Sequence, residues 1–136
     1  MIIIIVFVGI VILLGVFTFN KQSMDIEMSY ASMELRIKDI EGLYNVIINE
    51  NHAKEINSML SKVKYRPYKN EVWENHFFYM ITGIEGSIEY KVLINYNISD
   101  GNYLVVNNNT IYSFKNKKLN DYLREMYRLQ KFGSVK

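Results

Sequence analysis

Nineteen uncharged residues open this chain, and they constrain everything that follows. From Met1 to Phe19 only Gly9, Gly15 and Thr18 interrupt a run of Ile, Val, Leu and Phe. At a helical rise of about 1.5 Å per residue the run reaches about 28 Å, close to the ~30 Å hydrocarbon core of a bilayer. A secretory signal instead has a basic start, an apolar stretch of about 7–15 residues and small residues at a cleavage point. No Lys or Arg precedes this run, and the nearest small-x-small triplet, Ser29-Tyr30-Ala31, lies ten residues past its end. Residues 1–19 therefore read as an uncleaved, single-pass transmembrane anchor whose first partner is the lipid bilayer. A linker over 20–32, a folded domain over 33–130 and a tail over 131–136 complete the expected layout.

The flanking charges bear on orientation. Lys21, Arg36 and Lys38 follow the run, and only the terminal amine precedes it. Counted by the positive-inside rule this nominally favours a cytoplasmic domain. Acidic residues are interspersed and only Lys21 is close, while single-pass bacterial anchors more often hold a small domain outside. The expected address is the cell membrane, with the domain extracytoplasmic. A type IV pilin would need a glutamate near the start of its apolar helix; nothing acidic occurs before Asp25.

Beyond the run, just under 120 of the 136 residues remain, enough for one domain with one core. There is no cysteine. That excludes a disulfide scaffold, a Cys-based zinc site, a thiol nucleophile and a lipidated cysteine. The eleven tyrosines accompany abundant Asn, Ile, Lys and Phe, a mixture that A/T-rich codons produce, so tyrosine content marks no site.

Hydrophobic period then lays out the elements. Met33, Leu35 and Ile37 alternate with Glu34, Arg36 and Lys38, the period of a half-buried strand. A turn over 39–42 and a β-rich run from Leu43 to Ile48 make it a hairpin. Asn49 or Asn51 can cap a helix whose apolar stripe is Ala53, Ile56, Met59, Leu60 and Val63. Pro67 stops that helix and sits in an expected basic, tyrosine-containing loop from Lys64 to Lys69. Trp73 to Thr82 reads as a central strand, and Gly83 to Gly86 as a hairpin loop. Ile88 to Ile98 alternates almost without fault. Asp100-Gly101 turns, Tyr103 to Val106 returns, Asn107 to Asn109 turns again, and Thr110 to Phe114 is the last strand. Asn116 can cap a final helix striped by Leu119, Tyr122, Leu123, Met126 and Leu129. The fold class is α+β, in the order ββ-α-ββββ-α after the transmembrane helix, with two helices packed on one face of an antiparallel sheet.

Chemistry is sparse. His52 and Glu55 stand three apart on a helix, but a metal site needs three or four ligands, and the other histidine, His76, belongs to a different element. No serine lies in a G-x-S-x-G elbow, and no glycine-rich loop precedes a helix as phosphate binding requires. No catalytic residue, cofactor or metal ligand is assigned. Charge is uneven: from Lys115 onward seven basic residues face two acidic ones, a net +5, while residues 21–114 carry nine basic against twelve acidic. Lys117, Lys118, Arg124 and Arg128 on the final helix are candidates for docking to anionic lipid or wall polymer. Tyr65, Arg66 and Tyr68 are candidates for a binding loop, because function concentrates on loops. No nucleic-acid motif occurs.

The strand ending in Ile47-Ile48-Asn49, the helix with Ile56 and Leu60, the strand pair around Tyr79 and Val92, the Thr110-Ile111-Tyr112 strand and the last helix with Leu119 and Leu123 form a pattern. That pattern, over residues 43–129, resembles uncharacterised small membrane-anchored or lipid-anchored domains of low-GC Gram-positive bacteria. Such domains stand alone or append sensory membrane proteins. The resemblance implies no active-site residue. The leading expectation is a membrane-anchored, non-catalytic interaction or sensing domain of the cell envelope, with a protein partner there. A small envelope hydrolase gathering His52 or His76 with carboxylates, and electrostatic docking to an anionic surface, are the alternatives.

Overall fold

The computed structural model describes residues 21–39, 41–72, 77–95 and 101–133. The expected anchor, and with it Trp73 and His76, lies outside the described residues. Among those described, no helix is long and apolar enough to cross a membrane.

Among the described residues eight strands form one antiparallel sheet, and two α-helices pack on it. The strands are β1 (Gln22–Ser23), β2 (Glu34–Asp39), β3 (Gly42–Val46), β4 (Lys64–Tyr68), β5 (Tyr79–Glu85), β6 (Ile88–Ile94), β7 (Asn102–Val106) and β8 (Thr110–Phe114). The helices are α1 (Glu50–Ser61) and α2 (Lys117–Phe132). In space the strands run β1-β4-β8-β7-β6-β5-β2-β3.

Register explains the layering. Leu35 opposes Ile81, Ile81 opposes Val92, and Val92 opposes Leu104, so one face carries a continuous apolar row. The stripes of both helices (Ala53, Ile56 and Leu60; Leu119, Leu123 and Met126) join the same buried cluster. Each fully buried aliphatic side chain contributes about 1.5–3 kcal/mol against exposure, so the helices are fixed to this face. Helix α1 carries the chain from the β3 end of the sheet to the β4 end. Strands β4 and β5 are separated by β8, β7 and β6, so the chain must cross the sheet a second time. Phe77, just before β5, lies buried with its ring against Tyr103, on the face opposite the helices.

Caps follow the local chemistry. The Asn49 side chain accepts from the His52 amide at 2.8 Å, and His52 Nδ1 accepts from the Asn49 amide at 3.2 Å, a reciprocal capping box. Asn116 caps α2 through the Leu119 amide. The β7–β8 turn places Asn107 and Asn108 at positive φ, which asparagine tolerates better than other non-glycine residues.

Three segments differ from the expectations. First, part of the expected linker over 20–32 packs into the domain. Ile26 and Met28 are buried, and their backbone groups are held by α1. Ser61 Oγ accepts from the Ile26 amide and donates to its carbonyl; Asn57 does the same for Met28. Gly83 makes room for this strap: a Cβ there would stand 2.6 Å from Met28 Sδ and 3.0 Å from its Cβ and Cγ. Second, Lys64 to Tyr68 is strand β4, not a loop. Pro67 is tolerated because β1 pairs only with Lys64 and Tyr65, leaving that stretch of edge open. Third, β5 continues through Gly83 and Ile84 to Glu85, so the hairpin turns at Gly86, whose φ is +62°.

Candidate functional site

The clearest concave feature lies at the β4 end of the sheet. A groove of about 710 Å³ is framed by Lys21, Lys62, Lys64, Arg66 and Lys115, with the Tyr68 and Tyr103 rings on its wall. Its sequence logic is simple. Lys64 and Arg66 stand two apart on β4, so they share one face while Tyr65 turns inward, and Lys62, in the turn that ends α1, comes to the same rim. Antiparallel pairing sets Arg66 opposite Ser113, and Ser113 opposite Tyr103. Strand β1 brings Lys21 to the same edge, because Gln22 pairs with Tyr65. Tyr68 and Tyr103 pack at 4.7 Å between ring centroids, tilted by 59°. Among the described residues, no carboxylate lines the groove or pairs with any of its five cations. Lys64 Nζ donates to Ser23 Oγ at 2.6 Å. A concave surface with one sign of charge concentrates counter-ions of the other, so the groove is electrostatically favourable to anions. Among the described residues its lining contains no carboxylate or histidine.

Of the residues singled out from sequence, Arg66 and Tyr68 do line this groove. Tyr65 does not. It is fully buried, its hydroxyl donates to the Leu60 carbonyl, and its ring packs against Phe114 at 5.1 Å. Burial pushes its phenol well above the ordinary range. Tyr65 is a core residue beneath the groove. Lys117, Lys118, Arg124 and Arg128 are exposed on α2, where acids intervene. Lys117 reaches Asp121 at 3.8 Å, and Arg128 holds Glu125 through two bonds, at 2.6 and 2.9 Å. The helix therefore shows a mixed face and the groove an unmixed one. Sequence reasoning missed Lys21, Lys62, Lys64, Lys115 and Tyr103. The period-two spacing of Lys64 and Arg66 was the available signal, masked by the proline that follows.

Two other hollows bear on chemistry. His52 and Glu125 border a dip of about 160 Å³. There His52 Nδ1 is occupied by the cap, and its ring edge meets Tyr122 at 6.3 Å. The Arg128 guanidinium holds the Glu125 carboxyl below its usual range. Histidine and carboxylate are thus committed to structural partners. On the sheet face opposite the helices, Leu43, Phe77, Phe78 and Met80 with Arg36 and Lys38 border a shallow apolar depression of about 370 Å³. Among the described residues no group of three or more His, Asp or Glu is placed to hold a metal ion.

At the opposite end of the sheet charge is fully partnered. Lys131 is tied to Asp39 and, at 3.1 Å, to Glu41, and Tyr127 donates to Asp39 at 2.7 Å. The ammonium also lies 5.6–5.7 Å from the ring centroids of Tyr44, Tyr127 and Phe132. The bonds from Lys131 and Tyr127 hold the Asp39 carboxyl down at about 2. Lys131, expected in the tail over 131–136, lies in α2 and anchors the end of that helix to the β2–β3 hairpin.

No family model matches the chain, and no curated protein or solved structure matches it at a significant level.

Proposed function

We propose that this protein is a single-pass, membrane-anchored interaction or sensing module of the cell envelope that works without catalysis, its domain on the extracytoplasmic side. One observation carries the reading. The fold begins almost where the apolar run ends: Gln22 is already paired in the sheet. Consecutive Cα atoms are 3.80 Å apart, so Lys21 lies within about 8 Å of Phe19. A domain attached by so short a tether stays at the membrane surface. The groove chemistry supports binding, since its cations attract anions and, among the described residues, its lining includes no carboxylate or imidazole.

The test is fractionation and shaving of cells producing the full chain. The protein should remain in the membrane pellet after an alkaline carbonate wash, and added protease should remove the domain from intact cells. Recovery of a shortened, freely diffusing form from the medium would overturn the anchoring. Protection from protease in intact cells, with digestion only after lysis, would place the domain on the cytoplasmic side.

A further inference from the structure

We propose that the groove at the β4 end seats the phosphate-bearing headgroups of anionic phospholipids in the same bilayer that residues 1–19 enter, and so fixes how the domain sits on that bilayer. The inference rests on the anchoring proposed above and adds a ligand and a place.

The distance argument is the first support. The polar layer on each side of a bilayer is about 5–7 Å thick. Lys21 lies within about 8 Å of the last apolar residue along the chain, so it reaches the headgroup layer by covalent length alone. Lys21 is itself a wall of the groove. The pairing of Gln22 with Tyr65 and of Ser23 with Lys64 locks that point of the chain to β4. Lys62, Lys64 and Arg66 are therefore carried to the same level.

The chemistry is the second support. Five cations converge on one hollow, and no described carboxylate neutralises them. A planar guanidinium can bind a phosphate through two parallel bonds, while the lysines act as point charges around it. Tyr68 and Tyr103 supply rings with an apolar body and a polar tip, the side-chain type that settles at membrane interfaces. Anionic leaflets attract cations at their surface, within a screening distance of about 8 Å at physiological salt. Helix α2, by contrast, spends Lys117 and Arg128 on its own acids. Docking through α2 alone is accordingly the weaker arrangement.

The experiment uses the full chain reconstituted in nanodiscs of equal phosphatidylcholine and phosphatidylglycerol, released in mild detergent and weighed by native mass spectrometry. The wild type should retain phosphatidylglycerol over phosphatidylcholine by at least about fivefold, and a Lys62→Gln/Lys64→Gln/Arg66→Gln variant should lose that preference. A Lys117→Gln/Arg124→Gln/Arg128→Gln variant should keep it. Circular dichroism and thermal unfolding of both variants establish that each is folded. Equal retention of the two lipids by wild type, a preference surviving the groove variant, or its loss only in the α2 variant overturns the proposal. Displacement of the lipid by millimolar inorganic phosphate or soluble polyphosphate also overturns it, since the occupant would then come from solution. Anchoring is read separately, in phosphatidylcholine vesicles washed with alkaline carbonate. Extraction there overturns the anchoring, whereas firm anchoring with equal lipid retention overturns the groove alone.

Discussion

The two ends of the sheet treat charge in opposite ways. At the β2–β3 end a single lysine, Lys131, is shared between Asp39 and Glu41 and surrounded by three aromatic rings. At the β1–β4–β8 end five cations stand around one hollow without a described carboxylate. Paired charge holds the molecule to itself, and unpaired charge faces something else. The first end is a clasp between α2 and a hairpin. The second is a surface whose self-repulsion has no internal purpose, which makes it the part of the molecule that an anion would stabilise.

The comparison can be broken most forcefully beneath the groove. Tyr65→Ala removes a fully buried ring at the cationic end and should cost about 3–5 kcal/mol by urea unfolding, while Arg66→Ala, one residue away and exposed, should change stability by less than about 0.5 kcal/mol. Equal effects would mean that core and surface are not divided there as described. Next comes the seat of α2 on the sheet. Asn120 is buried, accepts from Asn102 and donates to the Asn95 carbonyl. Asn120→Ala strands those groups and should cost about 1–3 kcal/mol. Gly83→Ala should cost a similar amount, about 1–3 kcal/mol, because the strap must shift. A smaller cost of Gly83→Ala in a Met28→Ala background than in the wild type would show that the clash is with that side chain.

At the paired end the signature is pH. The Asp39 carboxyl sits near 2 when folded, against an ordinary value of 3.8, because Lys131 and Tyr127 donate to it. The folded state thus takes up this proton less readily than the unfolded one. The stability it contributes is complete above the ordinary value and is lost as pH falls from about 3.8 through about 2. Lys131→Met should therefore lower the urea midpoint at pH 7, and the gap to wild type should close across that window. A gap that persists at pH 2 would assign the effect to packing against the rings. The smallest effect belongs to the groove. Lys62→Gln with Arg66→Gln should leave the unfolding midpoint within about 0.5 kcal/mol or raise it slightly, and should flatten its dependence on salt.

Where local period and global packing agreed, the fold was readable. The alternation from Ile88 to Ile94 and the stripes of both helices are strong because each side chain sits on the face its spacing assigns. The strap was opaque for a physical reason. Its stability comes from Asn57 and Ser61, about thirty residues away, whose side chains on α1 substitute for a neighbouring strand. The alternation of Ile26, Met28 and Tyr30 allows a short strand as well as a linker, but it does not announce those partners. Strand β4 was opaque because proline argues against a strand interior, and whether its edge is covered depends on β1, a two-residue strand set by tertiary contact. The groove inherits both difficulties. Its cations come from positions 21, 62, 64, 66 and 115, which only the sheet order β1-β4-β8 brings together. The candidates on α2 were conspicuous because they are contiguous in sequence, yet acids one turn away neutralise much of their charge.

The strap also determines where mechanical load would go. A tug on the chain ahead of Lys21 meets β1 first, two residues long, and then the backbone of Ile26 and Met28, which Ser61 and Asn57 grip one helical turn apart. Tension is thereby shared between α1 and the end of β5, where Glu85 Oε1 accepts from the Glu27 amide and the Ile84 carbonyl accepts from the Ser29 amide. Strain there would loosen the strap and uncover Gly83, on which Met28 packs.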